Sequence, residues 1–532
     1  MHRITFPGDL SPLSRTSRDK HLFRTVAKPV MYITIIGLLG KALSLIRDAS
    51  IASVFGLAGV SDVYFYASTL LVLVATIIVQ SINTTVIPAL IREKLRVGDA
   101  GKQQLMNNIT SCVMIISLFV TLSLIIVTFY QPAIDFLAPG FDQDQRETFA
   151  LMTRLGAASI ISLSILAVNR SYLQSEGRYV ETAVSDLILA VVGIVFILFL
   201  ADTFGLYALI LAMLVAPMLQ FVVQYVGLAR LGFKFKPYLN LRDNELKVIG
   251  SLIIPVIIST GIGDVSKLVD QALASTLTDG GLSALAFGGK INGIVVGICI
   301  VPLVTVVFPL LSLSASSGDY DKLKRELQRV VIFVFMITFP ATLAVLALSE
   351  NIVTIIFERG QFDSGSTLIT SEVLFFYSLG LVAAGLRLVL IKVFYSLQDT
   401  RSPVIYAIIA SLLNITLNFV LIGPLEHMGL ALATTLSSFA FCIMLWISLN
   451  RRIKNILSSD MVGPTLRIFA AASLMFFWVI FLKKFVIYSG QSPMDQTLAI
   501  GLLGLSGIAI YTVSLLVLKV KEASWIILLI RK

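Results

Sequence analysis

The chain has 532 residues, 57% hydrophobic and 14% charged, with 41 Lys and Arg against 31 Asp and Glu for a formal charge of +10. A mean hydropathy of +0.92 excludes an ordinary soluble domain. Runs such as 113–130, 187–201 and 498–518 approach or exceed the ~20 apolar residues that cross a bilayer and lack the alternation of an outer-membrane barrel, so an all-α integral membrane protein is expected.

Residues 1–25 are polar and basic, without the apolar stretch and cleavage site of a signal peptide, and read as a cytoplasmic N-terminal extension. Apolar runs then predict 14 transmembrane helices: 26–55, 60–90, 108–130, 149–173, 181–201, 204–229, 246–276, 282–312, 327–349, 367–396, 403–423, 427–449, 465–486 and 496–519. The first six make one bundle (26–231), followed by a basic cytoplasmic linker (232–245). The next six make a second bundle (246–450), and 451–532 hold two extra C-terminal helices and a tail.

Lys and Arg gather in every second connection, as at Arg92, Lys94, Arg96 and Lys102, at Lys234 and Lys236, at Lys322, Lys324 and Arg325, and at Arg451 and Arg452. The intervening connections are acidic or poor in bases, as at Asp142, Asp279 and Glu358. This is the positive-inside pattern, so the net charge reports topology, not a nucleic-acid surface, and both termini are expected in the cytoplasm. Cys112, Cys299 and Cys442 fall in apolar runs and read as core residues; with His2, His21 and His427 outside the helical cores, no transition-metal cluster is expected.

The two halves echo each other. Asp48, Ala52, Ser53, Gly59, Ser61 and Phe65 recur as Asp270, Ala274, Ser275, Gly281, Ser283 and Phe287 at an offset of 222 residues. With small drifts, Phe141 answers to Phe362, Tyr172 to Tyr395 and Arg178 to Arg401. Each repeat has an even number of helices and so the same orientation. Two bundles related by an axis along the membrane normal, with a site between them, are expected.

Charges inside the apolar runs are costly, ~2.5–3.5 kcal/mol each near the bilayer centre, and mark site candidates. Lys41, Arg47 and Lys290 flank the inter-bundle interface, and cations on opposing walls suit an anionic ligand, since Arg grips a phosphate bidentately and Lys acts as a point charge. Asp48, Asp62 and Arg387 complete the expected substrate-binding set. Asp264, Lys267 and Asp270 follow one another at i, i+3, i+6. They read as an ion-pair ladder or, with Asp264 facing Asn414, Asn418 and Thr434, as an oxygen site for Na⁺ or H⁺. Gly288, Gly289, Gly293 and Gly297, with Pro302, serve either packing or bending. There is no phosphate-binding loop for ATP and no G-x-S-x-G or H-E-x-x-H motif, so no enzyme and no cofactor is expected. The energy source is then an ion gradient (Na⁺ or H⁺), the membrane potential or the substrate gradient.

Leu45-Ile46-Arg47-Asp48 with Phe55-Gly56 and Ser61-Asp62, then Ala138-Pro139-Gly140-Phe141, Gly360-Gln361-Phe362 and the stretch Phe394 to Pro403 resemble the MurJ/MviN family of bacterial lipid II flippases over about residues 26–520. The resemblance implies two six-helix bundles in a V plus two extra helices, as in the multidrug/oligosaccharidyl-lipid/polysaccharide exporter superfamily. Arg47, Asp48 and Asp62 match the family outright. Lys41 and Lys290 stand where it usually has Arg, Ala75 replaces a base and Gln80 an acid. The expected function is a flippase moving an undecaprenyl-diphosphate-linked saccharide, lipid II first, from the inner to the outer leaflet by alternating access. Flippases for an exopolysaccharide or O-antigen unit, or a drug/cation antiporter of the same fold, are the alternatives. The expected partners are the lipid-linked glycan precursor and membrane lipids, not nucleic acid or ATP. The expected form is a monomer in the bacterial inner membrane. The last two helices read as a packing appendage or as a groove for a lipid tail.

Overall fold

The computed structural model describes residues 35–453, 459–486 and 493–520. The N-terminal extension, the start of the predicted first helix and the C-terminal tail lie outside them. The described residues form helices joined by turns and one longer connection (231–243), with no strand: α1 (35–55), α2 (Gly59–Val97), α3 (Asp99–Val127), α4 (Gln131–Leu137), α5 (Gln143–Gly156), α6 (Ala158–Ser175), α7 (Tyr179–Phe204), α8 (Tyr207–Arg230) and α9 (Asn244–Ala274) come first. They are followed by α10 (Gly281–Cys299), α11 (Val301–Ser316), α12 (Tyr320–Phe357), α13 (Ser364–Leu379), α14 (Leu381–Ser396), α15 (Arg401–Arg452), α16 (Ser459–Val486) and α17 (Pro493–Val517). Among the described residues, ten helical segments are long and apolar enough to cross a membrane, or 11 if α13 and α14, bent by 42°, form one span. The chain is a multi-pass membrane protein.

Each predicted helix overlaps an observed one, and the differences have local causes. The expected loop over 91–107 is helical because Arg92 to Arg96 are good helix formers; only Gly98, at φ 89°, separates α2 from α3. Two predicted helices are continuous as α15 except at Glu426 (φ 47°, ψ −128°), two residues after Pro424, whose ring removes a helical hydrogen bond. Pro302 sits in the first turn of α11, where its missing N–H costs nothing, so the predicted 282–312 helix is broken at Ile300. Asp142 and Gln145 form a capping box that starts α5 before the expected residue 149. The short α4 had no apolar run to announce it.

α16 and α17 pack on α12, burying Ile468, Met475 and Leu515 against Val331 and Met336, and the Tyr511 hydroxyl donates to the Met336 carbonyl at 2.7 Å.

The repeat is visible as one contact made twice. Gln361 N donates to Ser53 O at 2.8 Å, and Gly140 N donates to Ser275 Oγ at 3.3 Å. Ser53 and Ser275 are repeat mates, as are Gly140 and Gln361 with one residue of drift, so the exchange is reciprocal as a two-fold relation requires. Gly140 and Gly360 make room for it: a Cβ on either would overlap the backbone of Ser275 or Ser53. These contacts seal one end of the interface. Within the first half, at its basic end, Lys94 and the fully buried Lys102 converge on Glu176, and the Lys102 ammonium lies 4.4 Å from the Tyr172 ring centre.

Candidate functional site

α1 carries Lys41, Arg47 and Asp48 toward α10. The Asp48 carboxylate, 3% exposed, takes Arg47 Nη2 at 2.9 Å and Lys290 Nζ at 2.8 Å, so a single buried anion joins cations from the two repeats. Lys290 Nζ also lies 4.9 Å from the Phe65 ring centre, a cation–π contact that offsets part of its desolvation. Beside this triad is a cavity of about 560 Å³ walled by α1, α7 and α10, including Lys41, Arg47, Asp48, Asp186 and Lys290. Asp186 is held by Arg170 of α6, and Lys41 forms no ion pair among the described residues. The cavity is therefore short of negative charge, in a place where unpaired cations are costly.

Two expected members lie elsewhere. Asp62 belongs to the seal: it accepts from Gly280 N at 2.8 Å, Ser283 N at 2.7 Å and Ser283 Oγ at 2.5 Å. It thus caps the start of α10 from across the interface, where unpaired N–H groups and the helix dipole favour a carboxylate. Gln145 Nε2 adds a bond to Asp279 at 3.1 Å beside it. Arg387 is half-buried on α14 against the Phe441 ring, 5.8 Å from its centre, and does not line the cavity. Of the six, the structure brings together Lys41, Arg47, Asp48 and Lys290.

The expected ion group is rearranged. Asn414 Oδ1 accepts from Ser266 Oγ at 3.0 Å and from Asn418 at 3.4 Å, and its amide reaches Thr434 Oγ1 at 3.5 Å. Asp264 does not join them by a bond; it pairs with Lys267 at 2.9 Å, one turn along its own helix. Asn418 instead donates to Asp270, the repeat mate of Asp48. Ser266 was the member missed, although its i, i+4 spacing from Asp270 places both on one face of α9. Asp264 Oδ2 and Asn418 Oδ1 are buried without a hydrogen-bond partner among the described residues. Such oxygens suit a hard cation.

Comparison with known proteins identifies the architecture. The family model described as Lipid II flippase MurJ matches residues 51–519. The chain belongs to the MurJ lipid II flippase family. The "Probable lipid II flippase MurJ" of Rhizobium tropici is 27% identical over 497 residues, covering 90% of this chain and 92% of that one. A solved lipid II flippase MurJ in an inward closed conformation superposes with a TM-score of 0.76 at 22% identity, over 91% of this chain and 100% of that one. An inward-facing MATE multidrug transporter of the MOP superfamily gives 0.64 at 15% identity, over 79% of this chain and 96% of that one.

The stretch 394–403 is a turn and a helix cap. Gln398 adopts φ 59°, and Asp399 accepts from Arg401 N and Ser402 N, both at 3.0 Å, and from Arg452 at 2.5 Å. Burial pushes the Asp399 carboxyl up, but Ser402 and Arg452 outweigh it and hold the group below the ordinary aspartate range. Its role is to start α15, away from the cavity.

Proposed function

We propose that this chain is a flippase that carries lipid II, an undecaprenyl-diphosphate-linked saccharide, from the inner to the outer leaflet of the bacterial cytoplasmic membrane for peptidoglycan synthesis. The observation that carries the reading is the Arg47–Asp48–Lys290 triad, which spans the two repeats at the wall of a cavity short of negative charge. Asp48 holds the place of an anion. A diphosphate entering the cavity offers the same two cations more charge and more acceptors, with Arg47 able to take two oxygens at once. The polyprenyl tail stays in lipid while the head group crosses.

The basic end faces the cytoplasm by the positive-inside rule, so the sealed end faces outward and the cavity is poised to receive cargo from inside. Counting α1 and α9 as crossings and dividing α15 at Glu426 gives 14 crossings, with both termini cytoplasmic. The Asn414, Asn418, Thr434 and Asp264 oxygens, with Ser266 and Asp270, are the place for a coupling Na⁺ or H⁺. Transport uses no ATP, and the monomer is the working unit.

The test is complementation of a strain depleted of its lipid II flippase. Wild-type protein restores growth, and Arg47→Ala and Lys290→Ala reach the membrane at normal levels without restoring it. Full rescue by Lys41→Ala, Arg47→Ala and Lys290→Ala alike overturns the proposal.

A further inference from the structure

Two glycines receive the cations of α1. A Cβ on Gly193 of α7 would stand 2.6 Å from Arg47 Cδ and 3.0 Å from Cγ, so the Arg47 stem lies in the space a side chain would fill. A Cβ on Gly297 of α10 would overlap the Lys41 ammonium and stand 3.0 Å from its Cε. Lys41 thus reaches across the interface and rests on α10, on the face that carries Lys290 two turns away. Gly297 is no hinge here, because α10 runs unbroken to Cys299.

The seats set a spacing. Lys290 and Gly297 are seven residues apart on α10, about 10 Å at 1.5 Å per residue. Lys41 and Arg47 are six apart on α1, about 9 Å by the same rise. Both helices therefore place the Lys41 charge roughly 10 Å nearer the basic end than the Arg47–Lys290 pair. A diphosphate, whose phosphorus atoms share one bridging oxygen, does not reach both levels. The Arg47 level already has Asp48, whereas Lys41 has no anion of its own among the described residues.

We propose that the cavity reads two separate anionic groups of one ligand. The diphosphate sits at Arg47 and Lys290, and a second anion on the head group, such as a carboxylate of a peptide stem or acidic sugar, sits at Lys41. Gly193 and Gly297 are positioning residues that fix the two levels. This rests on the flippase reading and names what its site selects: head groups with an anion beyond the diphosphate.

The test compares two lipids on the purified full-length protein in nanodiscs: undecaprenyl diphosphate, and lipid II with its peptide carboxylates. Wild-type protein binds lipid II more tightly. Lys41→Ala and Gly297→Ala weaken lipid II binding by about tenfold, the scale of one charge-assisted hydrogen bond, and leave undecaprenyl diphosphate unchanged. Gly297→Ala displaces only the end of a flexible side chain, so it keeps the fold. Arg47→Ala and Gly193→Ala weaken both lipids by similar factors. Gly250→Ala, with nothing within 4 Å of its Cβ, changes neither. Equal loss for both lipids in Lys41→Ala, no loss in Gly297→Ala, or a loss in Gly250→Ala overturns the two-level assignment. Failure of the wild-type protein to bind either lipid overturns the flippase reading instead.

Discussion

Phe65 and Phe287, repeat mates separated by 222 residues, touch each other edge to face, with ring centres 4.9 Å apart and planes at 82°. Residues that meet their own mates lie at the axis relating the two halves, so this pair marks that axis inside the sealed end, among Phe141, Ala274 and Phe362. Phe287 is fully buried, with Phe357 and Phe362 completing its surroundings at 4.8 and 5.9 Å.

Phe287→Ala is expected to destabilise the fold by about 3–5 kcal/mol, the range for emptying an aromatic site in a packed core. Phe199→Ala, at a side chain 75% exposed on α7, leaves stability near wild type. Thermal unfolding in detergent measures both, and equal shifts for the two variants contradict the placement of Phe287.

Asp62 and Ser283 act as one unit across the seal. Asp62→Ala removes the cap from α10, at about 1–2 kcal/mol. Ser283→Ala removes a donor to the same carboxylate, so the two losses are expected not to add, with a coupling of roughly 0.5–3 kcal/mol in a double-mutant cycle. Strict additivity contradicts the shared hydrogen bond.

At the basic end the prediction is one of pH. Burial pushes the Glu176 carboxyl up, but the bonds from Lys102 and Lys94 more than reverse this and hold it below the ordinary glutamate range. A group depressed on folding stabilises fully above its unfolded pKa, about 4.3, and that contribution fades as pH falls through the lower folded value. Wild-type protein is therefore expected to lose stability below about pH 4 more steeply than Glu176→Gln. Glu176→Gln, which strands the buried Lys102, is less stable at pH 7 than the Glu176→Gln/Lys102→Met double variant. Denaturation followed at several pH values reads both, and parallel acid profiles for wild type and Glu176→Gln contradict the account.

Orientation is tested by single cysteines in a background without Cys112, Cys299 and Cys442. In intact cells an impermeant thiol reagent is expected to label positions 142, 358 and 495 but not 94, 236, 324 or 452. Strong labelling at position 324 contradicts the assigned topology.

Much of this was legible in the sequence, and the reasons differ residue by residue. The helices were visible because bilayer thickness fixes the length of an apolar run, and the two-fold relation because mates such as Ser53 and Ser275 keep one offset. Arg47, Asp48 and Lys290 stood out because a charge inside an apolar run is costly. The same logic misplaced Arg387, whose cation is met by the Phe441 ring. It also misplaced Asp62, whose partners at Gly280 and Ser283 are a tertiary contact that no local pattern announces. Gly193 and Gly297 were harder still. A glycine that lodges a neighbour's side chain reads like any other helical glycine until the neighbour is seen.

The central claim is that cargo leaves through the end now sealed by the contact between Ser53 and Gln361 and its mate. The direct measurement is translocation of lipid II in proteoliposomes by protein carrying Ser53→Cys and Gln361→Cys, without the native cysteines, joined by a short cleavable thiol linker. Linked protein is expected to bind lipid II but not to deliver it to the far leaflet, and cleavage of the linker is expected to restore delivery. Delivery at the unlinked rate while the linker is intact would contradict passage through a rocking interface.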